Sequence, residues 1–274
     1  MGLREIGERD WLAEPISADE RARKRRLLQT QRELVMRRVP GFESVEAGMV
    51  RAVTDALRQR GQSVGSASEP FSSASEPFSS ASEPAIGRLE TIALEVADDL
   101  CLLIPEGGAH RLVSACLCSP SYWRLGEKIG KPMHAVHGPV RGLNEAIGSN
   151  VQHFLDRLPL GRIFQRRNWL IHQHDEPFHP DDELWPESLQ PADCQRLFVR
   201  SETQTLRKFA AGAVLFTIRV RSHPLAQIAG YPEAAADLLI GIDRMSADER
   251  HAFGYHHHGA ALSAFLQNLT ARSA

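Results

Sequence analysis

Between residues 162 and 220 the chain reads as mostly extended, and the pattern is plainest where Val214, Phe216, Ile218 and Val220 alternate with Leu215, Thr217 and Arg219. Alternation of this kind marks a strand with one face against a core, so the second half of the chain must be built around a sheet. A second extended unit precedes it. Residues 100–104 and 110–118 flank a Glu106-Gly107-Gly108 turn, which is a β-hairpin pattern. The flanking segments are helical in period. Ser17 and Glu20 stand in capping-box spacing ahead of a helix predicted over 17–39, with Leu27, Leu28, Leu34, Val35 and Val39 on one stripe and Pro40-Gly41 after it. Arg21, Arg23, Lys24, Arg25 and Arg26 make the other face, read as solvated. Val45, Met49, Val53 and Leu57 define a second helix over 43–59, stopped at Gly61. Shorter helices are predicted at about 86–96, 120–129 and 143–158, and further ones at the C-terminus, one opened by Ser246 and Glu249. Helices packed on a sheet make this an α+β chain.

Charge removes several functions. The 274 residues carry 32 basic against 34 acidic side chains, a net charge of -2, so the chain lacks the basic field that gripping a phosphate backbone requires, and no nucleic-acid partner is expected. No apolar run approaches the ~18 residues of a membrane helix, and the opening MGLREIGERDW has no signal-peptide stretch, which predicts a cytoplasmic protein with no membrane partner. Cys101, Cys116, Cys118 and Cys194 form no disulfide framework and no CxxC, and are expected to be reduced and buried.

Residues 65–84, GSASEPFSSASEPFSSASEP, hold two copies of ASEPFSS and a truncated third. Such a segment buries too little apolar surface to offset its ordering entropy and reads as a linker. The organisation expected is therefore a helical segment at 1–64, the linker at 65–84 and a sheet domain at 85–274.

Four groups of residues can carry chemistry. His172 and His174 form an HxH pair in WLIHQHDEPFHPDD, beside Asp175 and His179. On a strand they point to one side, as ligands of a non-heme metal would, although the same residues also suit a polar loop. Cys116 and Cys118 place two thiols together, too few for an iron-sulfur cluster. His137, following Val136 and preceding Gly138-Pro139, is either a core histidine or an axial heme ligand. Glu202, Arg207 and Arg219 are charges among strand-like apolar residues, and such charges are paired or functional.

Taken in order, GLREIGERDWL, EVADDLCLLIPEGGAHRLVSACLCSPSYWRLGEKIGKP, HAVHGPV, RRNW and SETQTLRKFAAGAVLFTIRVR resemble the family of the heme-dependent oxidative N-demethylase alpha subunit. The resemblance spans nearly the whole chain outside roughly residues 60–85 and the last few dozen. It implies a PAS-like α+β fold for 85–274, a curved antiparallel sheet cupping heme b with helices around it, and an N-terminal helical extension. It implies an oxidoreductase that uses O2 to remove a methyl group from a small secondary amine. Electrons would come from NADPH through a separate flavin and 2Fe-2S reductase subunit, and formaldehyde would pass to a folate-binding subunit. A heme PAS-type gas or ligand sensor or scaffold without turnover is the alternative.

By the same resemblance His137 is the axial ligand, with Cys118 in the LCSPS block as a second choice. Glu202, Arg207 and Arg219 surround the distal pocket, and Asn168 and Trp169 of the NW block wall the cofactor. Two departures stand out: Thr203 and Arg141 replace the arginine and proline usual in the ERQTL and PVPG blocks, and the repeat occupies a stretch where relatives contribute early strands.

Overall fold

The computed structural model describes residues 2–62, 64, 89–136, 149–181, 184–186, 188–252 and 254–271. The repeat at 65–84, His137 and Arg141 lie outside the described residues.

Among the described residues seven strands form one sheet: β1 (Arg4–Ile6), β2 (Met36–Arg38), β3 (Asp99–Glu106), β4 (Ala109–Cys116), β5 (Ile163–His172), β6 (Phe198–Lys208) and β7 (Val214–Pro224). Their order is β1-β5-β6-β7-β3-β4-β2, with every neighbouring pair antiparallel. The α+β expectation holds. The hairpin β3–β4 turns at Gly107 and Gly108, with φ of 61° and 79°, the left-handed pair a two-residue turn demands.

The N-terminal 64 residues supply more than helices, since both edge strands, β1 and β2, come from them. The helix expected to run through Val39 ends at Thr30 (α1, Ala18–Thr30), resumes for one turn in α2 (Arg32–Val35) and gives way to β2, where Met36, Arg37 and Arg38 pair with Cys116, Ala115 and Ser114. Pairing with the open edge of β4 overrides the helical stripe, which leaves Leu34 half exposed. The capping box at Ser17 and Glu20 and the helix α3 (Glu43–Gln59) form as the residues dictate.

One side of the sheet, here the clamp face, packs Leu100, Leu102, Val113, Ile163 and Leu215 against α1, α3 and α4 (Leu89–Ala93). Trp11 is fully buried there, and its Nε1–H donates to Thr205 Oγ1 at 3.0 Å. At the far end of β5 and β6 the same face meets α8 (Pro232–Asp243) and α10 (Tyr255–Ala271). Between them lies α9 (Ala247–Ala252), opened by the expected box: Ser246 N–H donates to Glu249, and Glu249 N–H to Ser246 Oγ.

The opposite side, here the site face, packs Cys101, Leu103, Leu112, Val214 and Ile218 against α5 (Leu125–Lys128) and α7 (Ser149–Arg157). Only residues 125–128 of the predicted 120–129 helix are helical, and of the predicted 143–158 helix the described part is α7. Residues 118–122 stay irregular because buried polar groups hold them. The Asp99 carboxylate accepts the N–H groups of Cys118 (2.8 Å) and Ser119 (2.7 Å), and Arg23 donates to Cys118 O (2.8 Å). Lys24, expected on the solvated face of α1, is 0% exposed; its Nζ donates to the carbonyls of Ala93, Val96 and Asp98 and lies 3.8 Å from Asp99.

Candidate active site

Strand parity decides which side chains meet. On β6 the even residues Arg200, Glu202 and Gln204 point to the site face, where register sets them opposite Leu170, Asn168 and Arg166 of β5. Arg166 Nε donates to Gln204 Oε1 (2.6 Å), and Gln204 Nε2 donates to Glu202 Oε2 (2.7 Å). The other oxygen of Glu202 accepts from Ser121 Oγ at 3.3 Å and lies 4.0 Å from Arg200 Nε. Glu202 is 8% exposed, so its carboxylate is a buried anion site held between two guanidinium groups. Burial lowers the pKa of both Arg166 and Arg200 from the usual arginine value, opposed in each by Glu202.

Arg200 also fixes the segment above Glu202. Its Nη1 donates to Pro177 O (2.9 Å) and its Nη2 to Ser119 O (2.5 Å) and Pro120 O (3.3 Å). The chain then passes through Ser121 to Tyr122, whose φ of 57° is unusual for a bulky residue and is maintained by these contacts. The Tyr122 ring stacks on His172 at 4.6 Å and 6°, with its hydroxyl 3.2 Å from His172 Nδ1. The dipeptide Ser121-Tyr122 thus touches both Glu202 and His172. Phe164, Leu206, Phe216 and Val220 are half-buried apolar neighbours on this face. The short helix α6 (Met133–Val136) leads directly to residue 137 and lies on the same face, with Met133 against the cluster around Leu103 and Lys128 Nζ bonded to Val136 O (2.8 Å).

Arg207 and Arg219 are not brought to Glu202. Both face the clamp side: Arg207 lies over the Trp11 ring at 4.4 Å and pairs with Glu8 at 2.6 Å, and Arg219 pairs with Glu20 at 2.5 Å and with Glu14 at 3.8 Å. The cleft of about 260 Å³ that Arg207 and Glu8 line with Asp55, Gln59 and Phe209 is on that side too. Trp169 also turns to the clamp face, where it meets Tyr255 edge-on at 6.2 Å and fills the gap left by Gly241 of α8. Asn168, its neighbour, is the member of the NW pair at the register position of Glu202.

Cys118 belongs to the clamp-side core, its sulfur 3.9 Å from that of Cys116. The HxH pair is split by the end of β5: His172 is buried against Tyr122, whereas His174 is exposed and stacks near His179. Among the described residues no group of three or more His, Cys, Asp or Glu side chains is placed to hold a metal ion, and no helix is long and apolar enough to cross a membrane. Sequence reasoning missed Tyr122, Ser121, Arg166, Arg200 and Gln204 as site residues. Arg166 and Gln204 share the face parity of Glu202 and were recoverable from it, while Tyr122 carries no local signal.

No curated protein matches the chain significantly. A family model described as haem-dependent oxidative N-demethylase, alpha subunit-like matches residues 17–261, a span that contains α1, the Ser119–Tyr122 segment, the whole of the Glu202 site and α8. The chain belongs to the haem-dependent oxidative N-demethylase, alpha subunit-like family.

Proposed function

We propose that this protein is the heme-binding, oxygen-using subunit of an oxidative N-demethylase acting on a small secondary amine. The observation that carries the reading is the Glu202 site: one buried carboxylate, hydrogen-bonded by Ser121 and Gln204, on a sheet face that also carries the half-buried apolar side chains Phe164, Leu206, Phe216 and Val220. A small ammonium ion is recognised by such a carboxylate, and its methyl groups by apolar walls.

The residues fit heme b. The half-buried apolar side chains Phe164, Leu206, Phe216 and Val220 suit a macrocycle, and Arg166, desolvated and bonded to the Gln204 amide oxygen, suits an acidic substituent at its rim. The reading assigns the iron to His137, which follows α6, and keeps the PAS-like description for the five central strands β4-β3-β7-β6-β5. When bound, heme would supply O2 activation, with electrons from NADPH delivered by a flavin and 2Fe-2S reductase partner.

This chain's own residues bind and orient. Glu202 holds the ammonium form of the amine or takes its proton, and Gln204 and Ser121, one on each carboxylate oxygen, fix the plane of the carboxylate. Tyr122, next to Ser121 in the chain, holds its hydroxyl against His172 Nδ1. Formaldehyde would leave to a folate-binding partner.

The test is turnover. Heme-loaded protein with a chemical reductant, O2 and dimethylamine is expected to release formaldehyde, and Glu202→Gln to lose that release. A heme protein whose spectrum and O2 consumption respond to no small amine would support the sensor or scaffold reading instead.

A further inference from the structure

Three histidines lead from the interior to the surface beside this site. His172 is 0% exposed, His179 is half-buried and His174 is exposed. Their rings follow one another, with centroids 5.4 Å apart from His172 to His179 and 5.8 Å from His179 to His174, the last two nearly parallel at 13°. At the inner end His172 meets the Tyr122 hydroxyl at 3.2 Å, and Ser121 next to it reaches Glu202.

The row is built rather than draped. Tyr122 N–H donates to His179 O (2.8 Å) and His179 N–H to Pro120 O (3.2 Å), so the segment carrying His179 is fastened to the one carrying Tyr122. Arg200 holds Pro177 O, and Arg124 Nε holds Asp181 at 2.7 Å, securing the segment on both sides of His179. Among the described residues, the charged groups on the elements that hold the row are Arg200 and Glu202 of β6 and the Arg124–Asp181 pair, and Asp175 follows His174 in the chain.

We propose that His174, His179 and His172 form a proton path between solvent and the Tyr122 hydroxyl. Imidazole accepts a proton at one ring nitrogen and releases one from the other, so a series of such rings passes protons without net chemical change. At each step one N–H bond breaks and one forms, directly after ring rotation or through one bridging water. At the inner end the proton reaches the Tyr122 oxygen as the hydroxyl's own proton is given to the acceptor at the Glu202 site; the return direction reverses every step. The inference rests on reading this face as the active site, because a path with no proton consumer has no use.

The test does not depend on turnover. In protein labelled with 15N-histidine, the exchange of the His172 ring N–H with water is measured by magnetisation transfer in wild type, His179→Phe and His174→Gln. His179→Phe keeps a stacked ring and removes the proton carrier, and is expected to slow exchange about tenfold or more, while His179→Ala regains it with added imidazole. His174→Gln lies at an exposed position that folding tolerates, and is expected to slow exchange by a smaller factor. Unchanged exchange in either folded variant overturns the path. Slowed exchange in a protein that turns over no amine upholds the path and counts against the functional reading alone.

Discussion

Glu202 and Arg207 share one uninterrupted strand yet serve opposite faces of the sheet, the carboxylate bonded to Ser121 and Gln204 and the guanidinium laid over Trp11 at 4.4 Å. Their roles therefore separate on substitution. Glu202→Gln is expected to abolish the spectral response to amine and, because Arg200 and Arg166 lose their buried anion while the hydrogen bonds survive, to cost about 2 to 3 kcal/mol in urea unfolding. Arg207→Gln gives up a half-exposed ion pair to Glu8 and the contact with Trp11, and should cost about 1 to 2 kcal/mol in urea unfolding while the amine response is retained.

Lys24 joins α1 to the turn before β3. Replacing it by alanine leaves three buried carbonyls without their donor and Asp99 without its nearest cation. The expected loss is roughly 3 to 5 kcal/mol, read from urea unfolding. Because Asp99 positions Cys118 and Ser119, the same variant should loosen the Tyr122 segment, seen as faster amide exchange at Ser119.

Burial pushes the Asp98 carboxyl up to about 6 from an ordinary 3.8, against the pull of Lys24 and Arg219. Below the unfolded value the group is protonated in both states, and its favourable contribution is whole. Between the two values the unfolded chain ionises while the folded one holds its proton, so stability is lost as pH rises through about 6. Asp98→Asn cannot ionise. Relative to wild type it should gain on the order of 2 kcal/mol as pH is raised from about 4 to about 7, measured by urea midpoints along that range.

A Cβ at Gly241 would stand 2.9 Å from Trp169 Cζ2. Gly241→Ala must push the indole away and is expected to cost about 1 to 3 kcal/mol, read as a lower melting temperature. Heme absorption should be unaltered, since Trp169 turns away from the face that carries Glu202.

Local features were legible because their causes are local. The two capping boxes, the Gly107-Gly108 turn and the bounds of α3 are each set by residues within a few positions of one another. The odd separation of Glu202 and Arg207 already puts them on opposite faces of any continuous strand. Placing Arg219 needed more, namely the register in which it opposes Thr203. The edge strands β1 and β2 are three residues each and form only because β5 and β4, more than seventy positions away, offer unpaired edges. Lys24 reads as one basic residue among five on α1, and its burial depends on carbonyls at residues 93 to 98. The left-handed backbone of Tyr122 comes from two buried charges, Asp99 and Arg200, and the half-buried Arg23, which converge on residues 118–120.

The most direct measurement is the absorption spectrum of the full chain titrated with heme, beside the same titration of His137→Ala and Glu202→Gln. The account predicts a saturable histidine-ligated spectrum at one heme per chain in wild type and in Glu202→Gln, lost or shifted in His137→Ala. Wild-type protein that stays colourless with heme in excess, or a His137→Ala spectrum identical to wild type, would contradict it.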